Sequence, residues 1–156
     1  LVWGGPEKAA GTIDAPLGRA QNHRTRQAVV KETQPDARHA VTHYEVLETF
    51  GADKGGRPLA SLVECRLETG RTHQIRVHMA FIGCPLIGDQ EYGLGFSTKS
   101  AKLPEPLQAK VQTFGRQALH ARLLAFEHPS TGKVMRFEAA MPADMAGMRV
   151  GFRALR

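Results

Sequence analysis

Cysteine is scarce in these 156 residues: only Cys65 and Cys84. They form no Cys-x-x-Cys pair, which excludes a disulfide scaffold and a zinc ribbon and makes a reducing compartment the expectation. No apolar run is long enough for a membrane span, and no basic lead with an apolar stretch opens the chain as a secretory signal would. An initiator Met is also lacking, and Leu1-Val2-Trp3 reads as the end of an interior strand, so a piece of a longer chain is expected. Acidic residues fall short of basic ones, 15 against 21, for a net charge of +6. That balance favours an anionic partner, nucleic acid being the commonest. Metal-ligand spacing is missing too. His73 and His78 diverge on a helix, and His39 and His43 on a strand would stand roughly 13 Å apart. No metal is expected.

What is present centres on residues 67–79, Leu-Glu-Thr-Gly-Arg-Thr-His-Gln-Ile-Arg-Val-His-Met. Cys65, Leu67 and Thr69 alternate with Arg66 and Glu68, the period of a half-buried strand. Gly70 permits a turn and Thr72 is an N-cap candidate. Ile75, Met79 and Ile82 then recur at helical spacing, with Val77 and Phe81 as a second apolar stripe, so a helix buried on most sides is expected. Arg71, His73, Arg76 and His78 gather where the helix starts, an end that disfavours cations by roughly 0.3–1 kcal/mol each. An anion docked there, a phosphate or a protein carboxylate, would account for Arg71, His73 and Arg76; solvated surface charges are the alternative.

The rest of the chain orders itself around that junction. Residues 4–26, punctuated by Gly4, Gly5, Pro6, Gly11, Pro16 and Gly18, read as loop, with a basic cluster at His23-Arg24-Thr25-Arg26. Gln27 to Lys31 is a short strand. Ala40 to Phe50 and Leu59 to Thr69 alternate and form a long antiparallel hairpin. Gly83-Cys84-Pro85 stops the helix. Asp89, among turn formers, reads as a turn brace before a catalytic carboxylate. A short helix is expected near Pro106 to Gln112, then strands at Gln117 to Glu127 and Val134 to Ala140. A final helix opens at Pro142, carrying Met145, Met148 and Phe152 on one side, although Gly147 and Gly151 weaken it. The sum is one α+β domain over 1–156: a mainly antiparallel mixed sheet with a buried helix after the central hairpin.

Gly70-Arg71-Thr72-His73-Gln74-Ile75-Arg76-Val77-His78-Met79 strongly resembles a signature motif of RluA-like RNA pseudouridine synthases. Thr12 to Arg19, Ala40 to Tyr44, Pro85 to Asp89 with Tyr92-Gly93, and Gln117 to Ala121 with His128-Pro129 resemble the same family in the same order, most closely the type that modifies large-subunit ribosomal RNA. The resemblance implies isomerisation of uridine to pseudouridine in RNA, without metal or organic cofactor, in the cytoplasm. It implies an aspartate nucleophile or base, a tyrosine packed on the uracil, and a basic residue paired with the aspartate. The tyrosine corresponds to Tyr44, for which a core aromatic is the alternative, and the basic residue to Arg71. His73, Gln74, Arg76, Arg24 and Arg26 are the expected RNA contacts.

One departure limits the resemblance. The family's aspartate belongs to a His-Arg-Leu-Asp motif, and none of Asp14, Asp36, Asp53, Asp89 and Asp144 stands in such a context. The chain therefore resembles the C-terminal portion of a catalytic domain, without its nucleophile. It is expected to be inactive alone and to expose an unpaired edge and an apolar face. Ribosomal RNA stands ahead of transfer RNA as the expected partner. A non-catalytic RNA-binding module of the same fold is the alternative.

Overall fold

The computed structural model describes every residue except Asn22 and Arg156, with the side chains of Arg24 and Ser97 also outside the description. In chain order the strands β1 (Val2–Trp3), β2 (Ala10–Asp14), β3 (Leu17–Ala20), β4 (His23–Val29), β5 (Val41–Phe50) and β6 (Ala60–Leu67) come first. Helix α1 (Gln74–Phe81), a 3-10 turn at Leu94–Phe96, α2 (Ser97–Ser100) and α3 (Glu105–Gln112) follow. The chain then adds β7 (Leu123–Glu127), β8 (Val134–Glu138) and α4 (Ala143–Arg153).

The main sheet is antiparallel, in the order β1-β6-β5-β2. Two hairpins stand apart from it, β3-β4 and β7-β8. Neighbouring residues of a strand point to opposite faces, and β1 shows what covers each face. Val2 packs with Ile13, Met79 and Leu86, so α1 lies on that side. Leu1 and Trp3 pack with Leu107, Met148 and Phe152, so α3 and α4 lie on the other. A register shift between Val46 and Glu48 lets β5 serve both clusters, with Tyr44 on the α1 side and Phe50 on the α4 side.

The final helix forms as its apolar spacing predicts. Met145, Met148 and Phe152 are buried, with Phe152 edge-on to Trp3 and stacked on Phe50. Arg149 and Arg153 both reach Glu48 on the sheet. Gly151, which argued against a helix, is where α3 comes close: a Cβ there would stand 2.8 Å from Leu107.

Several expectations need correction. Residues 4–26 are not a loop but contain β2, β3 and the start of β4. The glycine that suggested a break, Gly11, pairs with Tyr44 across the sheet and leaves room for its ring; a Cβ there would meet the Tyr44 hydroxyl at 2.7 Å. The strand expected from Gln117 starts only at Leu123, because Ala118 is drawn into the core and its N–H bonds Ile87 O. Helix α1 is buried on most sides as expected, with Gln74, Val77, His78 and Met79 buried, but Phe81 of its second apolar stripe is 59% exposed. The β7-β8 ribbon leaves Leu123, Leu124, Phe126, Val134 and Phe137 exposed. Among the described residues no helix is long and apolar enough to cross a membrane.

Candidate functional site

The turn into α1 is built by Gln74 rather than by Thr72. His73 occupies the N-cap position in the left-handed region, φ 57°, and its side chain makes no cap bond. Gln74 Oε1 instead accepts from the Arg71 N–H at 3.0 Å and from the Thr69 hydroxyl at 2.8 Å, the reach-back of a capping box. Its Nε2 donates to Val41 O and to Thr42 Oγ1. The Thr42 hydroxyl meets His78 Nδ1 at 2.9 Å, and His78 Nε2–H donates to Ala15 O. Burial pushes the His78 imidazole below its usual range, so it is neutral, with Nδ1 free to accept. This chain of bonds ties the helix start to β5. Gln74 is 2% exposed with its amide fully engaged as a strut, and His78 lies in the core.

One turn further along, Arg76 is the centre of a charged cluster. Its Nε and Nη2 hold Asp89 through a two-pronged pair at 2.7 and 2.9 Å, and Nη2 also reaches Glu91 at 3.1 Å. The Asp89 side chain is fully buried, and that of Arg76 is 13% exposed. Burial alone would push the Asp89 carboxyl up; the Arg76 bonds and the Tyr92 and Glu91 N–H groups outweigh it and hold it below the usual carboxylate range. The hydrogen bond to Asp89 in turn raises the Arg76 pKa. Asp89 therefore braces its turn, as expected from its neighbours, and fixes the guanidinium. Among the described residues Nη1 makes no hydrogen bond, so its two N–H donors remain available.

Tyr92 joins this cluster to the β3-β4 hairpin. Its ring lies under the Arg76 guanidinium at 4.8 Å and under that of Arg26 at 4.7 Å. Its hydroxyl accepts from the Gln27 N–H and bonds His73 Nδ1 at 3.0 Å. Burial raises the phenol's pKa, so it stays protonated and can donate to His73 while accepting from Gln27. His73 also lies 3.7 Å from Glu91.

Two cavities flank the Arg26–Tyr92–Arg76 stack and share His23 and Arg26 in their walls. The smaller, about 500 Å³, is lined by Arg76, Gln90, Glu91, Leu94, Arg116 and Gln117 among others. The larger, about 800 Å³, lies between β4 and α1. Of the expected site residues, the structure thus gathers His73, Arg76 and Arg26, while the Arg24 side chain lies outside the described residues. Arg71 stands away from the cluster's acids: it is exposed, and its Nε donates to His39 O. Tyr44 lines neither cavity and is half-buried against the α1-side core, the packing of a core aromatic. The aromatic and the acid that sequence reading left unassigned are Tyr92 and Glu91. Both stood in the turn after Asp89, but nothing local to that turn indicates that it folds back onto Arg76.

The description "RNA pseudouridylate synthase" fits a family that matches residues 1–81. An RNA pseudouridine synthase of Bacillus subtilis (strain 168), itself uncharacterized, is 47% identical over 136 residues, 87% of this chain and 37% of that one. The ribosomal large subunit pseudouridine synthase D of Vibrio cholerae is 44% identical, aligned over 96% of this chain and 42% of its own length. The enzyme of the same name from Nitrosomonas europaea is 45% identical over 99% of this chain and 40% of its own. The chain spans about two fifths of the length of these curated relatives. The solved human RNA pseudouridylate synthase domain containing 4 superposes with a TM-score of 0.65 at 25% identity, over 97% of this chain and 59% of that one. Domain containing 1 gives 0.64 at 23%, a likeness of fold, over 89% and 51%.

Proposed function

The chain belongs to the RNA pseudouridylate synthase family, and on that premise we propose that it supplies one wall of an active site that isomerises uridine to pseudouridine in RNA. The observation that carries this reading is the alignment of nearly the whole chain with ribosomal large subunit enzymes at 44–45% identity. Large-subunit ribosomal RNA is accordingly the proposed substrate, ahead of transfer RNA, and the cytoplasm the proposed location. A module that binds RNA without acting on it is not favoured, because these relatives are named as synthases.

In the reaction the N1–C1′ bond of uridine breaks, a C5–C1′ bond forms, the C5 proton leaves and N1 ends protonated. Composition is conserved, so no co-substrate is consumed. The cavity beside Arg76 supports these steps. It offers the Nη1 donors of a guanidinium already fixed by Asp89, beside Gln90 and Gln117, and a charge-assisted bond from such a group is strong. The acting carboxylate is proposed to come from outside these 156 residues. Asp14 pairs with His39, Asp36 and Asp53 brace turns, Asp89 is held by Arg76, and Asp144 by Arg116. Arg71 is the partner that the family resemblance implied for that carboxylate. The geometry favours Arg76, which is largely enclosed and anchored, whereas the Arg71 side chain is exposed. The base is taken out of its stack to react, and Arg26, His23 and Arg116 around the cavity suit the phosphates that come with it.

The test uses the full-length protein and a large-subunit ribosomal RNA transcript carrying tritium at uridine C5. Tritium appears in water as C5 loses its hydrogen. Absence of release from this transcript and from transfer RNA transcripts alike would overturn the proposal.

A further inference from the structure

The larger cavity has a chemistry of its own. Its floor is apolar, with Val29 from β4 and Val77, Ala80 and Phe81 from α1. Arg26 and Lys31 stand on its rim with His23, and no Asp or Glu is among its lining residues. At about 800 Å³ it has room for a nucleotide. Two aromatic rings reach it. The ring of Tyr92 is already covered by the Arg26 and Arg76 guanidiniums, whereas Phe81 is 59% exposed. A flat apolar surface beside cations, with no acid among the lining residues, matches a base and its phosphate. A base buried in a duplex cannot offer its face to such a ring, so the occupant must be unpaired.

We propose that this groove binds an unpaired RNA nucleotide next to the reacting one, its base stacked on Phe81 and its phosphate held by Arg26 and Lys31. Arg26 stands in the walls of both cavities, so a strand crossing it would set one nucleotide on each side. The inference rests on the reading of the smaller cavity as the uridine site.

Three variants of the full-length protein test it: Phe81→Ala, Phe81→Leu and Phe81→Trp. The exposed position lets each fold, which matched melting temperatures verify. Turnover is followed by tritium release from the large-subunit transcript, and affinity by filter binding to the same RNA. Loss of one stacked base is expected to raise KM and Kd about tenfold in Phe81→Ala, with kcat unchanged. Phe81→Leu should behave like Phe81→Ala, because it keeps apolar surface without a ring face, while Phe81→Trp should match the wild type. Wild-type affinity in Phe81→Ala, or full rescue by Phe81→Leu, would overturn the groove while leaving the catalytic reading intact. Ring-dependent affinity without turnover in the wild type would overturn the catalytic reading and leave the groove standing as an RNA site.

Discussion

A lysine at position 76 would keep a positive charge and lose the fork. Arg76 holds Asp89 through Nε and Nη2 while its Nη1 stays available, a division of work that one ammonium cannot reproduce. Arg76→Lys in the full-length protein is therefore expected to lower tritium release by about 100-fold or more, with RNA affinity changed far less. Arg71→Ala should stay within a few-fold of wild type; the reverse order of effects would return the role to Arg71. Arg76→Ala tests the other half of the pair. It strands a buried carboxylate and should cost about 3–5 kcal/mol in urea unfolding, and adding Asp89→Ala should recover part of that loss.

At the scale of elements, the seam between α1 and β5 is held by the Gln74–Thr42–His78 bonds, and its imidazole makes the seam sensitive to acid. The folded pKa of His78 lies below its ordinary 6.5 because burial disfavours the charged ring. Between the two values the unfolded chain binds a proton that the folded chain does not. Stability from this group is complete above about pH 6.5 and declines as pH falls below it. Urea midpoints at pH 7 and pH 5 should differ more in the wild type than in His78→Gln. The elements themselves were legible to different degrees. Helix α1 announced itself through Ile75, Met79 and Ile82, and the β5-β6 hairpin through its alternation. β2 and β3 were hidden because Gly11, Pro16 and Gly18 punctuate them, and Gly11 is there to make room for a side chain 33 positions away in sequence. The site was half legible for the same reason. The helix start showed that cations needed an anion, but not that Asp89 would take Arg76 while Arg71 turned outward. Alternation placed Tyr44 on one face of a strand without revealing that α1 packs on that face, leaving Tyr92 as the ring beside the cations.

For the molecule as a whole, the β7-β8 ribbon is the least covered part. Leu124 pairs with Phe137 and Phe126 with Met135, and Phe126 stacks on Phe137 at 6.0 Å, yet among the described residues the ribbon joins no larger sheet. A two-stranded hairpin with exposed apolar side chains is marginal in water. The 156-residue span alone is expected to self-associate in sedimentation experiments, and Leu124→Lys with Phe137→Lys to return it to monomer. A monomer from the outset would show that contacts within the ribbon suffice. The division of the core into two faces has an optical consequence. Trp3, the one tryptophan in these residues, sits on the α4 side against Phe152. Its emission would follow the melting of that face and be blind to α1, whereas a tryptophan at position 81 would report from the opposite side. The two layers of the sheet can thus be timed separately, by two colours of one fluorophore, in a single unfolding experiment.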